Sequence, residues 1–213
     1  MQLTFLEPSI STPLDFELSA RQRGYSAIAG IDEAGRGPLA GPVVAAAVIL
    51  PETFDLPGLT DSKKLSAKQR EVLYPLICQQ AWTYAIGLAS AETIDRINIL
   101  QGTLLAMQSA VTRLKVPADY LLVDGISKIP LGTPQQTIKQ GDSRSLSIAA
   151  ASVVAKIVRD RIMCAFDKQY PQYGFAIHKG YGTALHLAAI ARFGPTPLHR
   201  QTFRGVREFV APR

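Results

Sequence analysis

The chain has 213 residues and a formal net charge of +6; 47% of its residues are hydrophobic and 19% are charged. This length suits one domain, and this composition excludes an intrinsically disordered chain. The longest apolar run, at 42–50, is too short to span a bilayer, and the N-terminal residues lack the basic start and apolar stretch of a signal peptide. We therefore expect a cytoplasmic protein that does not enter membranes, and its basic charge favours polyanionic partners.

Residues 1–24 are predicted to form a loosely attached extension ahead of one domain that comprises residues 25–213. Apolar, β-branched runs predict three strands in the first half of the chain, at 28–32, 43–50 and 82–88. Two helices are expected in the same half. Ser66 caps the first, and the second runs from 91 to about 115, where Pro117 ends it.

The second half of the chain is predicted to contain two further strands, at 120–124 and 137–140. Asp142 is placed to cap a long helix from about 143 to 170, and another helix is expected at 183–193, before a Gly-Pro pair. Strands alternate with helices in the first half, and helices dominate the second. We therefore expect an α/β layer with a helical C-terminal region.

A glycine-rich stretch at 35–41 follows the first predicted strand and invites comparison with a dinucleotide-binding turn. Such a turn must open a helix whose N-terminus holds the pyrophosphate. Pro38 and Pro42 interrupt this stretch, and residues 43–50 have the length and branching of a strand. The sequence also lacks the phosphate-binding loop pattern of nucleotide hydrolases, so a nucleotide-cofactor protein is disfavoured.

Carboxylates end two of the predicted strands: Asp32 and Glu33 end the first, and Asp124 ends the strand at 120–124. Ligand sites in α/β sheets form beyond the carboxyl ends of strands, so these side chains are predicted to meet. The alternative is a solvated pair at a loop start and a simple turn-forming aspartate. Asp142 is interpreted as a helix cap, as a fourth member of the acidic cluster, or as both.

Clustered carboxylates without histidine or cysteine are hard oxygen ligands that suit Mg²⁺ or Mn²⁺. In two-metal nucleases the ions lie about 4 Å apart and clamp the attacking and leaving oxygens. An acidic site in a basic protein fits this chemistry, because lysines and arginines would hold a polyanionic backbone while the carboxylates hold the metal ions. Lys156 is left open between the acidic site and solvent. His178 and His199 could contact phosphate, but isolated histidines are usually structural.

Five blocks of sequence, in family order, resemble the type 2 ribonucleases H, the bacterial ribonuclease HII group. They are GIDEAGRGPLAGPVVAAAVIL (30–50), TDSKKLS (60–66), YLLVDG (120–125), KQGDSRSLSIAAASVVAKIVRDR (139–161) and HKGYGT (178–183). The resemblance implies a ribonuclease H-like fold, in which helices flank a central mixed β-sheet. It also implies endonucleolytic hydrolysis of the RNA in RNA–DNA hybrids and cutting 5′ of ribonucleotides in duplex DNA, which leaves 5′-phosphate and 3′-hydroxyl ends.

The resemblance also implies roles for individual residues. Asp32, Glu33, Asp124 and Asp142 match the catalytic, metal-binding acids; Gly35, Arg36 and Gly37 match a turn that contacts ribose and phosphates at the RNA–DNA junction; Tyr181 matches a tyrosine that packs on the neighbouring deoxyribose; Ser62, Lys63 and Lys64 match a loop near the substrate backbone.

From these roles we form a mechanistic hypothesis. One metal ion, held by Asp32 and Asp124 with help from Asp142, activates a water molecule, and a second, held by Asp32 and Glu33, stabilises the leaving 3′-oxygen. We expect a monomer without an obligate protein partner. The rival interpretations are a non-catalytic hybrid-binding module and a nuclease of the same fold that acts on DNA junctions.

Overall fold

The computed structural model describes residues 13–210. Its strands are β1 (Ile28–Ala34), β2 (Val43–Ile49), β3 (Thr83–Ala89), β4 (Tyr120–Asp124) and β5 (Gln135–Ile138). Its α-helices are α1 (Asp15–Gln22), α2 (Ala67–Gln80), α3 (Ala91–Thr112), α4 (Leu146–Gln169), α5 (Phe175–His178) and α6 (Ala184–Phe193). Short 3₁₀ turns lie at Gly141–Ser143, Pro171–Tyr173 and Arg207–Phe209.

The five strands form one mixed sheet in the order β3-β2-β1-β4-β5. Strand β2 is antiparallel to both β1 and β3, whereas β1, β4 and β5 run parallel to one another. This arrangement confirms the predicted mixed sheet, and it puts β1 at the centre. The predicted strand positions are confirmed to within a few residues. The pattern located them because apolar and β-branched residues fill the buried strands.

Helices cover both faces of the sheet. On one face α3 packs against β3, β2 and β1 through small and branched apolar side chains, among them Ala106, Ala110 and Ile31. On the other face α4 packs against β1 and β2, α2 packs against α4, and the buried run at 149–151 of α4 consists of alanines. A third apolar cluster joins α6 and the C-terminal segment to α4 and to residues 39–40. None of the helices within residues 13–210 is long and apolar enough to cross a membrane.

Helix α1 differs from the predicted loose attachment of the N-terminal region. Phe16 and Ala20 are buried in an apolar cluster with β1, β4 and α4. The buried carboxylate of Glu17 accepts hydrogen bonds from the Ser145 hydroxyl (2.6 Å) and the Ser147 N–H (2.9 Å). Residues 15–22 are therefore fixed to the start of α4. Residues 1–12 lie outside the described residues, and a domain boundary near residue 24 stays a prediction.

The start of α4 also differs from the prediction, because Asp142 is not its cap. The helix begins at Leu146, and the hydroxyl of Ser145 accepts the capping hydrogen bond from the Ile148 N–H at 3.2 Å. Asp142 lies one turn earlier, in the 3₁₀ turn that follows Gln140, whose backbone is left-handed (φ 56°). This turn separates Asp142 from the helix, and the serine next to the helix takes the capping position.

Helix α3 ends at Thr112, slightly before the predicted end, and it contains a kink at Asn98 (φ 67°). The Asn98 side-chain oxygen accepts hydrogen bonds from the N–H groups of Leu100 (3.0 Å) and Gln101 (3.1 Å). Asparagine tolerates positive φ and can cap a helix, so Asn98 divides α3 into two helical segments.

Candidate active site

The acidic side chains lie at one edge of the sheet, where the parallel strands β1 and β4 end. The register pairs Ile31 with Val123, so the next residues along the strands, Asp32 and Asp124, are neighbours. Glu33 follows directly on β1. Single carboxylate oxygens of Asp32, Glu33 and Asp124 all lie within 4.8 Å of one another, so the three predicted strand-end acids form one cluster. This acidic cluster sits beyond the carboxyl ends of the strands, as expected for an α/β sheet.

Asp32 and Glu33 approach the cluster from opposite faces of the sheet. Asp32 faces α4, where it lines the cleft together with Ser152, whose side chain opposes the rise in the Asp32 pKa. Glu33 lines a recess on the α3 face together with Thr103 and Met107. Neighbouring strand residues normally diverge, but at the strand end both carboxylates reach the position opposite Asp124.

Burial and mutual repulsion dominate the electrostatics of the cluster. Burial, followed by the negative charges of Glu33 and Asp124, raises the pKa of the Asp32 carboxyl well above its usual range. Burial also raises the pKa of Glu33, although the nearby Arg36 guanidinium, 3.3 Å from its carboxylate, opposes that shift. Carboxylates held this close favour a bound cation, and an all-oxygen ligand set without histidine or cysteine fits a hard divalent ion.

Asp142 lies beside the cluster and does not belong to the three acids that approach within 4.8 Å. Its buried carboxylate is 3.2 Å from the Lys63 ammonium group, and the adjacent Gly141 N–H donates a 2.6 Å hydrogen bond to Asp124. Burial raises the pKa of Asp142, and the Lys63 charge partly offsets that shift. The turn that carries Asp142 is therefore fastened to the cluster through Asp124, while Lys63 neutralises the Asp142 charge.

A cleft of about 340 Å³ opens over the acidic cluster. Its wall is formed by residues from β1, from the loops around 35–37 and 62–63, from α4 and from the segment before α6. These are Ala34, Gly35, Arg36, Gly37, Ser62, Lys63, Ser152, Lys156, Arg159 and Tyr181, in addition to the cluster. All predicted substrate-contacting residues except Lys64 line this cleft; Lys64 is exposed outside it. The Ser62 hydroxyl points inward and shares a 2.8 Å hydrogen bond with Ser152.

Lys156, whose direction the sequence leaves open, lines the cleft and forms a 2.8 Å ion pair with Asp160. Tyr181 is half-exposed, and its ring lies 3.7 Å from the position that a Cβ on Gly37 would occupy. The cleft thus has carboxylates at its bottom and cationic and aromatic side chains on its rim, a combination that suits a phosphodiester backbone.

Arg159 and Arg200 support the loop at 35–42, which we call the glycine loop. Neither arginine is predicted from the sequence to belong to the site. Arg159 and Arg200 are buried, with 1% and 0% of their surface exposed, and they donate hydrogen bonds to carbonyl oxygens of this loop. One signal was available in the sequence, because Arg159 falls on the buried stripe of α4, four residues from both Ala155 and Met163. Arg200 lies in an irregular segment without such a period.

The three histidines of the chain stack behind Tyr181, away from the cleft, and this supports the structural interpretation. His186 Nδ1 donates to the Tyr181 carbonyl at 2.9 Å, and the Nε2 atoms of His186 and His199 lie 3.0 Å apart. Because the Thr196 N–H donates to His199 Nδ1 at 2.9 Å, His199 donates from Nε2 to His186. Burial lowers the pKa of each of these two histidines to about 4, so both rings are neutral near pH 7.

Comparisons with known proteins agree with this geometry. A family model described as Ribonuclease HII matches residues 29–206. The chain is 68% identical to a ribonuclease HII of Syntrophotalea carbinolica over 199 residues, which cover 93% of this chain and 95% of that protein. It is 64% identical to a ribonuclease HII of Geobacter metallireducens, with 92% of each chain covered.

Among solved structures, the ribonuclease H2 from Pyrococcus horikoshii OT3 superposes with a TM-score of 0.71 at 24% sequence identity. The superposition covers 85% of this chain and 96% of the archaeal chain. This likeness establishes a ribonuclease H-like fold, as the resemblance implied.

Proposed function

Because this chain belongs to the ribonuclease HII family, we propose that it hydrolyses the RNA strand of RNA–DNA hybrids and also cuts duplex DNA 5′ of an embedded ribonucleotide. The family assignment makes the chain a hydrolytic nuclease with ribonuclease H activity that depends on divalent metal. The proposal adds the embedded ribonucleotide as a substrate, and 5′-phosphate and 3′-hydroxyl ends as products.

The acidic cluster at the base of a cationic cleft is the observation that carries the proposal. Asp32, Glu33 and Asp124 offer oxygens within 4.8 Å of one another, and their mutual repulsion disposes them to bind cations. We propose that Asp32 and Asp124, helped by Asp142, hold one Mg²⁺ or Mn²⁺ ion and that Asp32 and Glu33 hold a second. When bound, the two ions supply the Lewis acidity that activates water for in-line attack and stabilises the leaving 3′-oxygen.

The chain's own residues bind and orient the substrate. Lys63, whose side chain is 78% exposed, is the cation best able to leave Asp142 for a substrate phosphate, which would free the Asp142 carboxylate for the metal site. Arg36 and Lys156 line the same cleft and neutralise further phosphates. Tyr181 offers an apolar ring beside Gly37 on which a sugar can pack.

The loop at 35–37 supports recognition of ribose. Gly37 has no side chain to hold the substrate away, so its backbone can approach a sugar closely. The 2′-hydroxyl both donates and accepts hydrogen bonds, and it is the group that separates a ribonucleotide from a deoxyribonucleotide. A site that requires this hydroxyl will cut a duplex with one ribonucleotide and leave the matching all-DNA duplex intact.

A panel of matched duplexes tests the proposal. Labelled all-DNA, all-RNA, RNA–DNA hybrid and single-ribonucleotide duplexes are incubated with Mg²⁺, with Mn²⁺ or with chelator, and the product ends are mapped. We expect metal-dependent cleavage of the hybrid and of the single-ribonucleotide duplex, with the cut 5′ of the ribonucleotide. Cleavage of all-DNA junctions would instead support the junction nuclease, and metal-independent binding without cleavage would support the binding module.

We also propose that the protein acts as a cytoplasmic monomer without an obligate protein partner. The cleft and the acidic cluster are assembled from residues of one chain, so no second copy is needed to complete the site. Light scattering after size-exclusion chromatography, with cleavage measured on the same fractions, tests this: activity confined to a dimer fraction would contradict it.

A further inference from the structure

Two buried guanidinium groups lie beneath the glycine loop, and neither has a carboxylate partner among the described residues. Arg159 and Arg200 are almost completely buried, yet neither takes part in an ion pair within residues 13–210. Buried charges are normally paired with an opposite charge, because removing them from water is costly. The polar groups that replace water here are backbone carbonyls, and this arrangement calls for a functional explanation.

The two side chains bind almost every carbonyl of the glycine loop. Arg200 donates to the carbonyl oxygens of residues 35, 36, 38 and 41, for example at 2.7 Å to Arg36 and 2.8 Å to Pro38. Arg159 donates to the carbonyls of residues 40 and 42, at 3.1 and 3.0 Å, and to Lys179 at 3.0 Å. The Arg200 backbone N–H donates a hydrogen bond to the carbonyl oxygen of Leu39. The loop carbonyls are therefore turned inward.

The N–H groups of Leu39 and Gly41 donate to the carbonyls of Gly180 and Leu198, but two other N–H groups of the loop remain for the cleft. Within residues 13–210 no hydrogen-bond partner is present for the N–H groups of Arg36 and Gly37, and both residues line the cleft above the acidic cluster. Consecutive free N–H groups with glycine neighbours form a concave donor site for anionic or hydroxyl oxygens. The positive charges of Arg159 and Arg200 lie directly behind this site and strengthen its attraction for phosphate.

Gly35 shows how closely the loop is fitted to these arginines. Its backbone has φ 98°, which other residues rarely adopt, and a Cβ built on it would lie 1.9 Å from Arg159 Nε. The glycine is therefore required by the arginine beneath it as well as by the turn. Loop and arginines form one packed unit in which the guanidinium geometry sets the direction of the backbone groups.

We propose that Arg200, together with Arg159, is a positioning residue for ribonucleotide recognition: it holds the carbonyls of the glycine loop inward and so presents the Arg36 and Gly37 N–H groups to the 2′-hydroxyl and phosphate oxygens of the substrate. This inference rests on the proposed function. Arg200 does not line the cleft and acts only through the loop, whereas Arg159 also reaches the cleft wall.

Lysine at position 200 is the informative substitution. Arg200→Lys keeps the positive charge, but an ammonium group has three donors and lacks the planar fork that reaches several carbonyls at once. The matched control is Arg113→Lys, because Arg113 is exposed and far from the cleft in sequence and fold. Dissociation constants are measured in chelator, which prevents cleavage, for a single-ribonucleotide duplex and for the same duplex made of DNA alone.

We expect the wild-type protein and Arg113→Lys to bind the ribonucleotide duplex more tightly than the all-DNA duplex. In Arg200→Lys the ratio of the two dissociation constants should be smaller by about 10- to 100-fold, since a small displacement of a positioned group has effects of this size. Because the lysine keeps the positive charge, the salt dependence of binding checks that no phosphate contact elsewhere in the cleft is lost. Its slope should stay unchanged in Arg200→Lys, whereas loss of a direct phosphate contact lowers the slope by about one. An unchanged preference, or a lowered slope, would overturn the inference.

A second measurement does not depend on the folding of the variant. Amide hydrogen exchange of the wild-type protein is compared with and without the single-ribonucleotide duplex, again in chelator. We expect new protection at Arg36 and Gly37, and less protection with the all-DNA duplex; no protection at either amide would refute the inference. If the wild-type protein itself shows no preference for the ribonucleotide, the proposed function fails, which is distinct from a failure confined to Arg200→Lys.

Discussion

Gly30 of the central strand lies directly against the backbone of Ser147 in the first turn of α4. A Cβ on Gly30 would stand 2.0 Å from the Ser147 carbonyl carbon. The absence of a side chain at this one position lets α4 approach β1 closely. Two residues further along the strand, Asp32 lines the cleft together with Ser152 of the same helix, and Ser152 opposes the rise in the Asp32 pKa. The contact that packs the helix on the sheet thus also supports the acidic cluster.

The first prediction concerns Asp124. In Asp124→Asn the amide oxygen can still accept the hydrogen bond from the Gly141 N–H, so the fold should be kept, while one negative ligand is lost. We expect cleavage of a single-ribonucleotide duplex to fall by more than about 100-fold, the upper range seen when groups that only support a metal ligand are removed. The melting temperature should be unchanged or slightly higher, because repulsion within the cluster is relieved.

The matched control for Asp124 is Asp55→Asn. Asp55 is exposed, and within residues 13–210 only its backbone groups form hydrogen bonds, both with Gln80. Its substitution should leave cleavage and melting temperature at the wild-type level. Near-normal cleavage in Asp124→Asn would remove Asp124 from the mechanism.

The second prediction concerns metal binding in the absence of substrate. The raised pKa of Asp32 reports charges that a divalent ion would neutralise, so Mg²⁺ or Mn²⁺ should stabilise the folded state. At a metal concentration about 100 times the dissociation constant, the expected gain is about 2.7 kcal/mol in the free energy of unfolding. Thermal unfolding with metal, and again after chelation, measures this gain. A shift of equal size in Asp124→Asn would mean that the ion binds elsewhere.

Strand ends were the part of the site that could be predicted from the sequence. An apolar run that closes on a carboxylate identifies a residue at the sheet edge, so Asp32 and Asp124 could be placed near each other from the order of residues in the two strands. The position of Asp142 could not, because it depends on a left-handed Gln140 and on competition with Ser145 for the helix cap. Local patterns do not report such turns.

Long-range contacts set the other limit. Arg200 is separated from its carbonyl partners by about 160 positions, and no periodicity links an irregular C-terminal segment to a loop after β1. The same holds for Glu17, which binds the start of α4 from within a segment expected to be loose. Both are buried polar groups whose partners are determined by tertiary packing, so the sequence shows neither the burial nor the partner.

The third prediction concerns Arg36, whose side chain is 49% exposed and reaches Glu33 at 3.3 Å. Because Arg200 holds the loop backbone, Arg36→Ala should remove the guanidinium without moving the turn. We expect a higher KM for the single-ribonucleotide duplex and a salt dependence of binding whose slope is smaller by about one. Arg113→Ala serves as the exposed control. An unchanged rate on this duplex would exclude Arg36 from junction recognition.

The fourth prediction concerns pH and the buried histidine pair. The pKa of His186 and of His199 falls from 6.5 in the unfolded chain to about 4 in the folded protein, chiefly through burial. Between these values the unfolded chain binds protons that the folded protein does not, so the free energy of unfolding falls as pH decreases from about 6.5 to about 4. Each histidine contributes at most about 1.4 kcal/mol per pH unit to this slope.

Urea unfolding of the wild-type protein and of His186→Gln, from pH 7.5 downward, measures the histidine contribution. The raised pKa of Asp32 and Glu33 acts in the opposite direction and adds stability as pH falls, but both acids are present in both proteins and cancel in the difference. We expect the slope to be smaller in His186→Gln. Equal slopes would mean that His186 is not neutral in the folded protein.

The fifth prediction returns to Gly30. In Gly30→Ala the new methyl group would meet the backbone of Ser147 at 2.0 Å, and backbone atoms cannot give way as the end of a flexible side chain can. The strand and α4 must therefore separate, which we expect to cost about 3 kcal/mol in the free energy of unfolding. Cleavage should fall further than this loss of stability explains, because α4 carries Ser152, which lines the cleft beside Asp32 and moves with the helix. Gly132→Ala is the control, since a Cβ on Gly132 meets no atom of the described residues within 4 Å. Chemical denaturation of both variants, with cleavage measured well below the unfolding transition, tests the prediction. If Gly30→Ala were as stable and as active as Gly132→Ala, the close approach of α4 to β1 would not be what holds Asp32 in place.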